Sequence, residues 1–227
     1  MLTFKGISYK YNDFSLKKIF APEFERLKAY YEEYIEYGGF PEVVLAKNSL
    51  DKKDLIADIL SSYINIDIKT LSDFRNEKNI YSLIKMLSAR VGTRLDYSKL
   101  SRLSGLSRPT VHSYIDFFEK TYLISRISVL TKNPDREIVK AQKLYFNDHG
   151  MTNMLADINS GSKFENAVFN QLKHKGDIRY FALKSGKEID FIVNNKITSE
   201  VKESPNEYDL KILNDLSSKL GIDQTML

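Results

Sequence analysis

The residues best suited to chemistry lie near the C-terminus, in two short apolar runs that resemble strands. Asp190 lies in the run Glu-Ile-Asp-Phe-Ile-Val, and Glu200 and Lys202 lie in the run Ile-Thr-Ser-Glu-Val-Lys. A three-residue loop between the runs would pair Val193 with Ile197 and place Asp190 directly opposite Glu200. Opposed carboxylates repel each other, and a hard cation such as Mg²⁺ between them would remove that penalty. The pattern therefore predicts Asp190 and Glu200 as metal ligands.

Two further residues extend this predicted site. Lys202 lies two positions after Glu200, on the same face of its strand, where it could orient a water molecule or stabilise charge developing on a phosphate. Glu165 lies in an amphipathic helical pattern before the strands and could complete the cluster. Lys202 and Glu165 are the predicted catalytic residues.

A second interpretation of these residues involves no metal. Glu188 and Lys202 could form a simple cross-strand ion pair, with Asp190 and Glu200 solvated on an exposed face. A two-residue loop would place Asp190 and Glu200 on opposite faces of the sheet. The register of the two strands decides between these interpretations.

The hydrophobic pattern predicts the elements that must position these residues. An amphipathic helix begins near Gly161, and a last helix runs from about Tyr208 to Leu220. Between them lie three strand-like runs at 178–183, 188–193 and 197–202. The predicted order of this C-terminal part is α-β-β-β-α.

A helix-turn-helix pattern precedes this part of the chain. Ser98 can cap a short helix, Gly105 lies at the turn, and Ser107 can cap a second helix. Two apolar stretches at 123–130 and 143–146, joined by the polar segment 131–142, could then form a wing. The segment is interpreted as a winged helix.

The positive charge of the chain is concentrated in this segment. The whole chain has 34 Lys and Arg against 30 Asp and Glu, a formal net charge of +4. Between Ile80 and Arg126, eight basic residues face three acidic ones. A basic helix-turn-helix is typical of contact with a phosphate backbone, and the predicted contacts are Lys99, Arg102 and Arg108. Docking of a protein partner is the alternative.

Composition narrows the possible classes of protein. The 227 residues are 42% hydrophobic and 28% charged, as in ordinary folded proteins. The absence of cysteine excludes disulfide frameworks, thiolate zinc sites, iron–sulfur centres and cysteine nucleophiles. No apolar run approaches the roughly 20 residues that span a bilayer, and no secretory signal is recognisable. We therefore expect a cytoplasmic protein without a membrane partner.

The N-terminal half is predicted to be helical. Helical periodicity begins at Ala21 and stops at Gly38-Gly39, because glycine adopts the left-handed conformation that ends a helix. Further helices are predicted at 49–64 and from Asn79. We therefore predict an α+β chain with a helical segment at 1–78, a winged helix-turn-helix at 79–147 and a small α/β domain at 148–227.

A series of motifs resembles a known family. In chain order they are Tyr34–Val44 with its Gly-Gly-Phe-Pro, Asp67, the helix-turn-helix segment, Leu144–Gly150, Phe164-Glu165-Asn166, Glu188–Phe191 and Glu200–Lys202. The chain from about Tyr30 onward resembles the C-terminal part of a family of AAA-type P-loop ATPases. This family is prokaryotic and especially archaeal. The resemblance implies a lid-like role for 1–78, a winged helix, and a domain at 148–227 with a restriction-endonuclease-like, PD-(D/E)XK, fold truncated at its C-terminus.

The resemblance also implies roles for individual residues. Glu165 matches the helix glutamate of the restriction-endonuclease-like motif, Asp190 the aspartate of the central strand, and Glu200 with Lys202 the Glu-x-Lys pair. In active members the two strand acids bind Mg²⁺ and the lysine assists attack of water on phosphate. The fold also serves as an inert binding module, so a non-catalytic regulatory or protein-interaction role is the alternative.

One feature of the ATPase family is missing from this sequence. It contains no G-x-x-x-x-G-K-[ST] segment, the loop that cradles nucleotide phosphates. No ATP binding is therefore expected, unless a separate ATPase domain is a partner. Residues 1–5 look like a point just beyond a nucleotide-binding core, and residues 221–227 look like the start of a further strand. We interpret the chain as a split gene, a degraded copy or a fragment.

Overall fold

The computed structural model describes residues 5–6, 21–68, 77–131 and 141–227. Residues 1–4, the loop 132–140 of the predicted wing and the side chain of Asp67 lie outside that description. The chain divides into two compact units, Met1–Glu77 with Asp148–Asp157, and Lys78–Asn147 with Ile158–Leu227. Among the described residues, none of the helices is both long and apolar enough to cross a membrane.

The described part of the chain begins with helices, and the strands all lie in its second half. The helices are α1 (Ala21–Tyr37), α2 (Pro41–Leu45), α3 (Ser49–Ser62), α4 (Glu77–Ser88), α5 (Tyr97–Ser104), α6 (Arg108–Lys120), α7 (His149–Leu155), α8 (Ser160–Leu172) and α9 (Glu207–Leu220). The strands are β1 (Ile124–Val129), β2 (Lys143–Phe146), β3 (Ile178–Ala182), β4 (Glu188–Val193), β5 (Ile197–Ser199) and β6 (Gln224–Met226). A π-helical turn, Tyr63–Ile68, continues α3. The predicted α+β class is confirmed.

The turn between α1 and α2 explains the Gly-Gly-Phe-Pro motif of the first unit. Gly38 adopts a positive φ of 80°, and the Gly39 N–H donates to Asp148 Oδ2 at 2.8 Å. The other oxygen of Asp148 caps α7 by accepting from the Gly150 N–H at 2.8 Å. A Cβ on Gly38 would lie 2.2 Å from Asp148 Oδ1. The motif therefore packs backbone directly against the carboxylate that begins α7.

The second unit contains one mixed sheet of six strands in the order β2-β1-β3-β4-β5-β6. Strand β1 pairs antiparallel with β2 through its first residues and parallel with β3 through its last two, Ser128 and Val129. Strands β3, β4 and β5 are antiparallel neighbours, and β6 runs parallel to β5. The strands predicted for the wing and those predicted for the C-terminal domain thus belong to one sheet.

The hairpin of β4 and β5 has the predicted register. Val193 pairs with Ile197 across the three residues Asn194, Asn195 and Lys196, and both asparagines adopt positive φ, 52° and 55°. The pairing extends to Phe191 opposite Ser199 and ends there. Beyond Ser199 the backbone turns to β6, since the N–H of residue 200 donates to the carbonyl of residue 226 at 3.0 Å. The chain therefore leaves β4 at the position predicted for the opposed acids.

Two apolar groups hold the elements around this hairpin. On α9, Leu213 and Leu216 form a buried cluster with Ile189 and Ile192 of β4. The ring of Tyr145 on β2 stacks on Phe169 of α8, with centroids 4.4 Å apart, and packs against Phe191 of β4 at 5.4 Å. Glu165 lies one helical turn before Phe169, on the same face of α8. Because Phe169 packs toward β4, Glu165 faces β4 as well.

Helices α5 and α6 are joined by a short turn at Gly105, which has a φ of 69°. Ser107 caps α6 as predicted, because its side chain accepts from the Thr110 N–H. The cap of α5 is Asp96, which accepts from the Lys99 N–H at 2.8 Å. Ser98, the cap predicted for α5, lies inside the helix.

We expect Gly38→Ala to lower the free energy of unfolding by at least about 2 kcal/mol, because it combines a left-handed backbone with a clash against Asp148. Gly39→Ala is the matched control. Its Cβ would meet the Tyr34 ring at 3.2 Å, the N–H that binds Asp148 is kept, and the expected loss is below about 1 kcal/mol. Chemical denaturation followed by circular dichroism measures both. Equal losses would contradict the role assigned to the Gly38–Asp148 approach.

Candidate functional site

One cleft of the second unit gathers the predicted catalytic and metal-binding residues. Glu165 from α8, Asp190 from β4, and Glu200 and Lys202 from the segment after β5 all line a cavity of about 740 Å³. Glu188, at the start of β4, lines it as well. The structure therefore brings together four carboxylates and one lysine selected from the sequence.

At the centre of these acids lies a residue that the sequence patterns did not indicate, Lys143 of β2. Its Nζ lies 2.9 Å from Asp190 Oδ1, 3.1 Å from Glu188 Oε1 and 3.3 Å from Glu165 Oε1. Only 2% of Lys143 is exposed. Burial alone would lower the pKa of this ammonium, but the attraction of Asp190, Glu165 and Glu188 outweighs it and raises the pKa. The lysine is therefore a charged member of the cluster.

The backbone of residues 92–95 fixes Lys143 in place. The Leu144 N–H donates to the Thr93 carbonyl at 3.1 Å, and the Leu95 N–H donates to the Gln142 carbonyl at 2.8 Å. The Lys143 Nζ also lies 5.9 Å from the centroid of the Tyr180 ring on β3. Its side chain thus reaches from β2 to carboxylates on β4 and α8.

Glu188 is held by two cations. Its Oε2 accepts from Arg94 Nη2 at 2.6 Å, and its Oε1 faces Lys143. Burial by itself would raise the pKa of Glu188. The attraction of Lys143 and Arg94 outweighs that effect, so the pKa of Glu188 is lowered. The alternative ion pair between Glu188 and Lys202 is wrong, since Lys202 pairs with Glu200 at 3.1 Å.

The environment of Glu165 is less favourable for a negative charge than that of Glu188. The Tyr145 hydroxyl donates to Glu165 Oε1 at 2.6 Å. Burial and repulsion by Asp190 together raise the pKa of Glu165 to about 7, despite the attraction of Lys143. The backbone of Gly92 lies close to the Glu165 carboxylate. A Cβ at this position would lie only 2.9 Å from Glu165 Oε2, so the site requires glycine.

Asp190 and Glu200 differ in how their oxygens are used. Asp190 Oδ1 contacts Lys143, and Oδ2 accepts from the Val201 N–H at 3.0 Å. Glu200 Oε1 contacts Lys202, whereas its buried Oε2 has no hydrogen-bond partner among the described residues. Burial and repulsion by Asp190 raise the pKa of Glu200 to about 7.

This arrangement does not fit the predicted Mg²⁺ ion. Mg²⁺ demands near-octahedral oxygen ligands at about 2.0–2.1 Å, but both oxygens of Asp190 are engaged and an ammonium lies among the acids. In the ranges that the structure describes, no group of three or more His, Cys, Asp or Glu side chains could hold a metal ion. A divalent ion at Asp190 and Glu200 therefore requires a different position of Lys143.

A separate surface carries the predicted nucleic-acid contacts. Lys99 and Arg102 on α5 and Arg108 at the start of α6 are exposed, and none of them forms an ion pair within the described part of the chain. Two other basic residues of the same segment are neutralised. Arg94 pairs with Glu188, and Arg126 lies 2.9 Å from Asp116 and also contacts Glu119. Lys99, Arg102 and Arg108, which we define as the α5–α6 surface, therefore remain three exposed basic residues of the segment.

Comparison with known proteins places the chain in a wider group. A family model described as a domain of unknown function (DUF8612) matches residues 28–162. An uncharacterised protein of Methanocaldococcus jannaschii is 27% identical over 239 residues, covering 96% of this chain and 53% of that protein. An uncharacterised protein of Haemophilus influenzae is 26% identical over 194 residues, covering 79% of this chain and 48% of that protein. The chain spans about half the length of the curated relatives it matches. No solved structure matches it.

We expect Glu200→Gln to stabilise the chain at pH 8 and to leave it nearly unchanged at pH 5. The pKa of Glu200 is raised from 4.5 to about 7 in the folded chain. The contribution of Glu200 to stability is therefore fully present below pH 4.5 and declines as the pH rises through about 7. A neutral amide avoids that decline, and the expected gain at pH 8 is about 1–2 kcal/mol.

Urea denaturation at the two pH values measures this difference. Glu207→Gln, on the exposed first turn of α9, is the control and should show no such pH-dependent gain. A Glu200→Gln variant that is equally or less stable than the wild type at pH 8 would contradict a raised pKa at this position.

Proposed function

The chain belongs to the DUF8612 family, and we propose that it is a nucleic-acid-binding module. The observation that carries this proposal is the α5–α6 surface, where three exposed cations have no acidic partner in the described part of the chain. Such cations bind phosphates by releasing counterions, whatever the base sequence. Arg94 and Arg126 of the same segment, by contrast, pair with acids and are not available to phosphates.

The order of elements supports a winged helix as the binding module. Helix α5, the Gly105 turn and the capped helix α6 are followed by the antiparallel strands β1 and β2. In helix-turn-helix proteins the N-terminal residues of the second helix reach the major groove. Arg108 occupies that position on α6, and the positive end of the helix dipole favours a phosphate there.

We expect alanine at all three positions of the α5–α6 surface to weaken binding to duplex DNA or to RNA. The slope of log K against log salt concentration should fall by about 3, since each lost phosphate contact removes roughly 0.9. Fluorescence anisotropy at several salt concentrations measures it. A control variant replaces three exposed lysines elsewhere in the same unit, Lys184, Lys211 and Lys219. If both variants lose affinity equally, this surface is not the binding site.

A second candidate function is hydrolysis of phosphodiester bonds. It is supported by the convergence of Glu165, Asp190, Glu200 and Lys202 on one cleft, and by the order α8-β3-β4-β5-α9, which has the α-β-β-β-α arrangement of the restriction-endonuclease-like resemblance. Mg²⁺ is the proposed cofactor of this candidate. The acids could hold this ion only if Lys143 left its contact with Asp190. ATP hydrolysis is not proposed, since the sequence has no phosphate-cradling loop.

The competing candidate is a non-catalytic regulatory or protein-interaction module related to the C-terminal part of an ATPase. In that case the acids have a structural role and a protein, or a separate ATPase domain, docks on the α5–α6 surface. The ion pairs of Lys143 with Asp190 and Glu188 favour this candidate, because they neutralise the acids without a metal.

A cleavage assay on DNA and RNA, with and without Mg²⁺, separates the two candidates. For the hydrolytic candidate we expect Mg²⁺-dependent cleavage that Asp190→Ala abolishes, because this variant removes the central carboxylate of the cleft. Asp215→Ala, which removes an exposed carboxylate of α9, should retain the activity. Cleavage that is absent from the wild type, or unchanged in Asp190→Ala, would leave the non-catalytic module as the function of this chain.

A further inference from the structure

Lys143 holds the position in the acidic cleft that a divalent cation would need. Its Nζ contacts carboxylate oxygens of Asp190, Glu188 and Glu165 within 3.3 Å. We propose that Lys143 is a built-in counter-cation that excludes divalent ions from this cleft. The inference rests on the proposed hydrolytic function only in taking Asp190 and Glu165 as acids toward which a metal would bind.

The geometry makes the lysine and a metal ion mutually exclusive. An ammonium has three N–H donors, and Lys143 faces three carboxylates from α8 and β4. A divalent ion would need the same oxygens at about 2.0–2.1 Å. Two cations at such a separation repel strongly in a buried site. Binding of a metal must therefore displace the ammonium from Asp190 Oδ1.

Displacement is opposed by the way Lys143 is held. Its strand, β2, is bonded to residues 92–95 through the Thr93 and Gln142 carbonyls. Arg94, in the same segment, takes the second oxygen of Glu188. An ammonium moved out of contact with its acids would remain buried without its partners, which is strongly unfavourable. The cleft as folded therefore favours the lysine over an added ion.

The cleft also contains a carboxylate oxygen that Lys143 does not contact and that a metal could use. Glu200 Oε2 is buried and has no hydrogen-bond partner in the described ranges, and Glu200 lines the same cavity as Asp190. Without the Lys143 ammonium, Asp190 Oδ1 would also lose its cationic partner. A variant that lacks only this charge should consequently gain affinity for a divalent ion.

The test is Mn²⁺ binding to the full chain without nucleic acid, measured by calorimetry and by the electron paramagnetic resonance signal of the free ion. Lys143→Met keeps the length of the side chain and removes its charge. We expect it to bind Mn²⁺ about tenfold or more tightly than the wild type, and the added substitution Asp190→Asn should abolish the gain. Lys187→Met removes an exposed charge from the rim of the same cleft and is the matched control. Equal affinities of the Lys143 and Lys187 variants would overturn the proposal.

Acylation of lysines in the wild type keeps the proposal testable if Lys143→Met does not fold. Mass spectrometry should show Lys143 reacting much more slowly than Lys187, with the rate at Lys143 unchanged when Mn²⁺ is added. Equal reactivity of the two lysines, or a rate at Lys143 that rises as Mn²⁺ is added, would overturn the proposal. Neither readout involves nucleic acid, so failure of the cleavage or DNA-binding experiments is distinguishable from failure of this inference.

Discussion

The contact of Lys143 with Asp190, Glu188 and Glu165 is the interaction on which the second unit depends. Carboxylates that leave water lose several kcal/mol of solvation each unless they are paired. Lys143 supplies that pairing to three acids at once, and Arg94 supplies it to Glu188 a second time. The pairing is incomplete, because burial and Asp190 still raise the pKa of Glu165 and of Glu200 to about 7. The cleft is thus a cluster of acids stabilised by the protein's own cations.

This interaction ties together parts of the chain that are distant in sequence. Lys143 precedes Asp190 by 47 residues and belongs to β2, the second strand after the two helices of the α5–α6 surface. Strand β1 joins its own partner β2 to the β3-β4-β5 hairpins within one sheet. The aromatic stack of Tyr145, Phe169 and Phe191 then fixes α8 against that sheet. A residue of β2 therefore completes the environment of the acids on α8 and β4.

The same sorting of charge shapes the exposed surface of the unit. Arg94 and Arg126 count equally with Lys99, Arg102 and Arg108 in the net charge of the segment. In the folded chain Arg94 forms an ion pair with Glu188. Arg126 forms ion pairs with Asp116 and Glu119. Lys99, Arg102 and Arg108, on α5 and at the start of α6, remain exposed. Arg94 is thus drawn to the acids of the cleft, whereas Lys99, Arg102 and Arg108 stay exposed.

Features that depend on neighbours in sequence were determined by the sequence itself. The register of β4 and β5 follows from a three-residue loop, since loop length fixes which residues face each other. The Ser107 cap and the Gly38 turn also depend only on nearby residues. The start of α5 was predicted two residues too late, because Asp96 and not Ser98 caps that helix. Only the tertiary structure decided that Lys143 enters the acidic cleft. Strand periodicity determines the face on which a side chain lies, but not which distant side chain it contacts. Lys143 contacts Asp190 because a buried carboxylate needs a paired cation.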